Sequence, residues 1–174
     1  MNRFIKYFLI TSFLIFTSDL LAEEKIAILD LKYVLNESKA GKDAQDFLKK
    51  SYSQNVKKFK DMEASLKKEE ADLLSKKTVI SKEEYTKKSD TLRKKVIDYQ
   101  SQRRSAMDKI TTQRSESRAT LIKSINPILE TYIKENNISV VINKVHTLGG
   151  NPENDITKII AEKLDKVLPS LDLK

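Results

Sequence analysis

The 174-residue chain carries 33 Lys+Arg against 25 Asp+Glu, a formal net charge of +8, and only 3 Gly and 3 Pro. It has no cysteine, which excludes disulfides, thiolate metal sites and thiol redox chemistry. With 33% charged residues and so few helix breakers, the composition points to long helices with polar outer faces and a small core.

Arg3 and Lys6 precede a short apolar run from Tyr7 to Phe16, and LLA ends at Ala22. This is the layout of a secretory signal over residues 1–22, with cleavage near Ala22. The run is too short for an ordinary transmembrane helix. KIAILDL, from Lys25 to Leu31, is apolar on both faces and reads as a buried strand. KYVLNES follows as a short helix that Gly41 is expected to end. Residues 23–42 thus form the first part of a β body. From 43 to 125 the chain is charged and free of Gly and Pro, which marks a long helical arm. Pro127 is expected to kink or restart that helix. Residues 126–174 supply the rest of the body. They comprise a short helix, PILETYIKENN, then the strand ISVVIN and a strand or loop, VHTLGGNPEN. The last element is an amphipathic closing helix, DITKIIAEKLDKVL. Asp155 or Asn154 can cap it and Pro169 stops it.

Lone strands are unstable, so the strand material at the two ends must meet in one sheet. The arm must therefore go out and come back. Its apolar residues support a reversal. Going out they recur every seven positions at Tyr52, Phe59, Leu66 and Leu73, and again at Tyr85, Leu92, Tyr99 and Ala106. A turn around Val79 sets Leu73 against Tyr85, Leu66 against Leu92, Phe59 against Tyr99 and Tyr52 against Ala106. The intervening seam positions pair Leu48 with Ile110 and Met62 with Val96. Polar falls on polar, with Asn55 opposite Arg103 and Glu69 opposite Ser89. This is the pattern of an antiparallel coiled coil. Ser81 followed by Glu84 is a capping-box signature for a helix starting there, and Thr78, Val79 and Ile80 before it are poor helix formers. The tip is placed near 76–81. The rival is one continuous helix in a parallel dimer. The fold class is α+β, a long antiparallel helical hairpin extending from a small β body.

The charge sits in the arm, with 22 Lys+Arg against 13 Asp+Glu between Lys42 and Lys123. The candidate contact residues for an acidic or unfolded partner include the doublets Lys57-Lys58, Lys67-Lys68, Lys87-Lys88 and Lys94-Lys95. They also include the apolar residues outside the seam, Val56, Leu74, Val79, Ile80, Ile97 and Met107, with Phe47 nearer the body. For any single doublet a solvated coiled-coil exterior is the favoured reading, and only collectively do they point to an acidic partner. Catalytic chemistry is not in view. His146 is the only histidine, beside Thr147 and with Ser139 near, and no nucleophile-elbow motif surrounds any serine. Gly149-Gly150 is not followed by the Lys-Ser/Thr of a phosphate loop. The chain reads as a non-enzyme with no cofactor and no metal.

A signal peptide, KIAILDL, a short helix, the SKAGKDA entry, a basic helical hairpin, ISVVIN and a helix opening on Asp155, Ile156 and Thr157 occur in that order. In this the chain resembles the Skp/OmpH family of periplasmic chaperones over residues 23 to 168. The resemblance implies a jellyfish-like homotrimer whose strands build a β-barrel body around a cavity between three arms. Ile26, Ile28, Leu29, Val140, Val141 and Ile142 would then belong to the trimer body. It implies an ATP-independent periplasmic holdase for unfolded outer-membrane proteins. Lipopolysaccharide or an anionic membrane surface is a further partner the family suggests, though no residue pattern here matches a lipopolysaccharide patch. The alternatives are an exported coiled-coil scaffold and a polyanion-binding envelope protein. Specific nucleic-acid binding is not expected, because the arms lack Arg/aromatic groupings for stacking on bases.

Overall fold

The computed structural model describes residues 24–173, so the leader assigned to residues 1–22 lies outside the described residues. Strand β1 (Lys25–Leu29) pairs in parallel with β2 (Ile138–Asn143), with Ile26 opposite Val140 and Ile28 opposite Ile142. A parallel pair needs a crossover between its strands, and here the crossover is the whole arm.

Helix α1 (Leu31–Glu37) starts where the Asp30 side chain accepts the Tyr33 amide. Ser38 then ends α1 and caps α2 (Lys39–Ser75), its hydroxyl accepting the Gly41 amide at 3.2 Å. Gly41 therefore does not terminate the short helix; it lies in the first turn of α2. A Cβ at Gly41 would overlap the Leu35 carbonyl oxygen, so the glycine permits close approach at the α1–α2 corner.

Helix α2 ends at the turn Lys76–Ile80, and Ser81 caps α3 (Lys82–Glu135) by accepting the Glu84 amide. The β-branched triplet occupies this tip, and the chain doubles back there. Helix α3 does not restart at Pro127; it continues to Glu135. Proline forfeits one helical hydrogen bond, but its ring is on the exposed side. Ile125 is buried before it, and Ile128, Leu129, Tyr132 and Ile133 pack on the core after it. The arm's return helix therefore extends into the body without interruption. Asn137, in a left-handed conformation with φ of 51°, connects it to β2.

VHTLGGNPEN contains no strand. It forms two short 3-10 turns, Lys144–His146 and Pro152–Asn154, each opened by an asparagine side chain that accepts a backbone amide. Helix α4 (Thr157–Val167) begins later than expected. Ile156 sits at its cap position without a side-chain bond, and Asp155 instead accepts the Thr157 amide at 3.0 Å. The body core gathers Ala27 and Leu29 of β1, Val34 and Leu35 of α1, Leu121 and Ile125 of α3 and Ile160 and Leu164 of α4. Ile160, Leu164 and Val34 are fully enclosed. Among the described residues no helix is long and apolar enough to cross a membrane.

Asp155 ties the last turn to the sheet. Its backbone bridges to Ile28, and its carboxylate receives Lys144 Nζ at 2.8 Å. Burial pushes the carboxyl up, but hydrogen bonds from Lys144 and from the hydroxyl and amide of Thr157 outweigh it and hold it at about 2. A depressed carboxyl stabilises the fold above its ordinary range and loses that contribution as pH falls toward its folded value. We expect chemical denaturation to show about 1–2 kcal/mol lost through this group between about pH 4 and pH 2, a figure reduced for its partial exposure. Asp155→Asn should flatten that part of the acid limb. An unchanged acid limb would remove Asp155 from this role.

Candidate functional site

The two arm helices close on each other along the expected seam. Phe59 and Tyr99 meet edge to face with ring centroids 6.0 Å apart, and both are buried. Leu48 and Ile110 are buried nearer the body, and Met62, Leu66, Leu73, Tyr85, Leu92 and Val96 are half-buried toward the tip. Two seam positions depart from this. Tyr52 is 54% exposed and Arg103 is exposed, so the seam opens on the body side of the aromatic pair. Glu69, expected opposite Ser89, sends its carboxylate to Lys95 at 2.7 Å, because a free cation is a better partner than a hydroxyl.

The doublet lysines are all exposed, but they are not equivalent. Lys67 bonds Glu63 at 2.8 Å, Lys88 bonds Glu84 at 2.8 Å, and Lys95 takes Glu69. The bond from Lys67 holds the Glu63 carboxyl below its ordinary value, and the bond from Lys88 does the same to Glu84. Lys58 lies 5.3 Å from the Phe59 ring centroid. Lys57, Lys68, Lys87 and Lys94 stand in no ion pair among the described residues, and they remain as the charges that a partner would meet first.

The apolar candidates also sort themselves. Val79 at the tip is 80% exposed and Leu74 and Ile97 are each 57% exposed, whereas Ile80 and Met107 are half-buried. Val56, Leu74, Ile97 and Met107 occupy the heptad positions that flank the seam on one side of the hairpin. Lys57, Lys87 and Lys94 project from its back. The candidates that the sequence grouped together therefore lie on different faces of the arm. Two adjoining grooves follow the apolar side. One, about 490 Å³, runs toward the tip over Leu66, Leu73, Leu92 and Val96. The other, about 340 Å³, lies toward the body between Tyr52, Val56, Arg103 and Met107. Tyr52 and Gln100 were not singled out as surface residues from the sequence. Extending the heptad count one position beyond the seam would have flagged this side.

In the body, Ile26 and Val140 are cross-strand neighbours, 43% and 46% exposed, and Ile28 and Ile142 continue that face half-buried. Leu29 and Val141 face the other way. Leu29 is enclosed in the chain's own core and Val141 packs against it. The small sheet is thus apolar on both faces, as strands covered on both sides are. Its inner face is covered by this chain, while much of its outer face is open.

Three comparisons bear on this architecture. A curated protein of Pseudomonas aeruginosa, the Skp-like protein, is 25% identical over 171 residues, spanning 96% of this chain and 99% of its own length. The crystal structure of an OmpH-like candidate outer membrane chaperone from Caulobacter crescentus CB15 matches with a TM-score of 0.80. It is 20% identical and the match covers 88% of this chain and 90% of that one, which places the long hairpin and small sheet in the same fold. The family model described as outer membrane protein (OmpH-like) matches residues 25–164, from the first residue of β1 to the buried Leu164 of α4. The chain belongs to the OmpH-like outer membrane protein family.

Proposed function

We propose that this protein is an ATP-independent periplasmic holdase that keeps unfolded outer-membrane proteins from aggregating between the arms of a homotrimer. The observation that carries the reading is the arm itself. It is a basic helical hairpin with unpaired lysines at 57, 68, 87 and 94 and exposed apolar side chains at 56, 74, 79 and 97. Diffuse positive charge draws in an acidic chain over about a Debye length, roughly 8–10 Å in ordinary salt. Exposed apolar side chains then hold it.

The open outer face of the sheet supports assembly. The outer edge of β1 is partly occupied, since its Ile28 carbonyl accepts the Ile156 amide at 2.9 Å. Strand β2 has no strand on its far side among the described residues. Further copies of the chain would complete the sheet there and cover Ile26 and Val140. Membership of the OmpH-like family supports the chaperone role and the envelope compartment, and the apolar run before Ala22 supports export.

The test is a refolding assay with a urea-unfolded outer-membrane barrel protein. Suppression of its aggregation at about three chains per client is expected, weakening as salt rises. No suppression at low salt would instead favour a scaffold coiled coil without clients. In parallel, Val140→Asp with Ile142→Asp should dissociate the assembly by light scattering, and an intact trimer would refute that surface.

A further inference from the structure

The two grooves along the apolar side of the arm abut at Glu63 and Tyr99, where the Tyr99 hydroxyl reaches the Glu63 carboxylate at 3.4 Å, and end to end they make a trough from Tyr52 to Leu74. Its charges are unevenly disposed. Glu63 and Lys67 neutralise each other across one wall at 2.8 Å. Lys60 and Arg103, at the body end, are in no ion pair among the described residues, and Tyr52 and Val56 flank them. The opposite side of the hairpin, marked by Ser65 and Gln102, lines neither groove.

We propose that this trough seats a single extended stretch of unfolded polypeptide, with apolar side chains toward the seam and a carboxylate at the Lys60 and Arg103 end. The proposal rests on the holdase reading and specifies its contact surface. Charge complementarity sets the polarity of the bound segment. Length sets its size. From Tyr52 to Leu74 the helix rises about 33 Å at roughly 1.5 Å per residue, which an extended segment covers in about ten residues. That is the length of one membrane-spanning β-strand, about 9–11 residues. One arm therefore holds one strand's worth of client, which prevents that strand from pairing with another exposed strand.

Because the chain has no native cysteine, single cysteines can be labelled cleanly with a benzophenone. Val56→Cys and Leu74→Cys report on the trough, and Ser65→Cys and Gln102→Cys on the other side. Each labelled protein is mixed with a urea-unfolded outer-membrane barrel protein, irradiated, and the joined peptides are read by mass spectrometry. Trough labels should capture client at least about fivefold more than the controls. Within one client strand, the sites captured at 56 and 74 should lie about eight residues apart, with the acidic end at 56. Lys60→Glu with Arg103→Glu should abolish that directional bias while circular dichroism stays unchanged. Equal capture on both sides, or captured sites with no common spacing, would overturn the trough while aggregation suppression upholds the holdase reading. Failure of the unlabelled protein to suppress aggregation would overturn both.

Discussion

Gly41→Ala will cost about 3 kcal/mol or more of folding stability, although it adds one methyl group at a position the sequence presents as a simple helix end. The added Cβ would be driven onto the Leu35 carbonyl and would also meet Ser38 Oγ at 3.0 Å. Neither neighbour can step aside. The Leu35 carbonyl is part of the α1 backbone, and Ser38 is fully enclosed with its hydroxyl accepting the Gly41 amide. Relief therefore requires the α1–α2 corner to open, which exposes Val34 and Ala40, both fully buried. Overpacking in a closed site costs about 1–3 kcal/mol, and loss of the corner's hydrogen bond and burial adds to it. Urea denaturation followed by circular dichroism measures this. Lys42→Ala, one residue on and exposed, should leave the urea midpoint close to that of the parent. A Gly41→Ala protein as stable as its parent would show that the corner is looser than described.

Phe59→Ala is the largest expected change in the arm, about 3–5 kcal/mol from lost burial and the cavity left behind. Phe59 is 4% exposed and its ring meets the edge of Tyr99. The neighbouring seam positions toward the tip are only half-buried, so few other contacts can take up its contribution. Long isolated helices gain most of their stability from such packing rather than from propensity. Hydrogen exchange should therefore accelerate through the arm on both sides of the pair, while amides around Ile160 and Leu164 keep their protection. Tyr52→Ala, one heptad away but 54% exposed, should cost less than about 1 kcal/mol. If Phe59→Ala loosened the body as much as the arm, the two would be one cooperative unit.

How much of this was legible in the sequence depends on the kind of signal. The seven-residue spacing of Phe59, Leu66 and Leu73 and of Leu92 and Tyr99 sets the seam, and Ser81 with Glu84 sets the restart after the tip, because both are local patterns with direct geometric consequences. The role of Gly41 and the absence of a restart at Pro127 depend on what packs around them. The proline is carried through by buried residues on either side of it, and the glycine is needed by a carbonyl on another helix. The late start of α4 and the irregular VHTLGGNPEN segment follow from asparagine and aspartate side chains bonding to nearby amides, an option that propensity alone does not rank. The pairing state of each lysine was also out of reach. Lys67 and Lys88 have partners four residues away that the sequence displays, but Lys95 reaches across the hairpin to Glu69. The shared side of Val56, Leu74, Ile97 and Met107, away from Lys57, Lys87 and Lys94, was encoded in the positions just outside the seam.

The parallel pairing of Lys25 with Ile138 also dictates an order of events when the chain folds. These partners lie at opposite ends of a very long loop, and closing such a loop costs entropy before any strand bond repays it. Zipping of the two helices needs only neighbours near the tip at first, and each added layer draws the distant ends closer, so local contacts precede the remote ones. The hairpin thus serves as a splint for its own base. The arm would therefore be complete before its base, and the apolar side with Val56 and Leu74 would be presented before the β1–β2 pair exists.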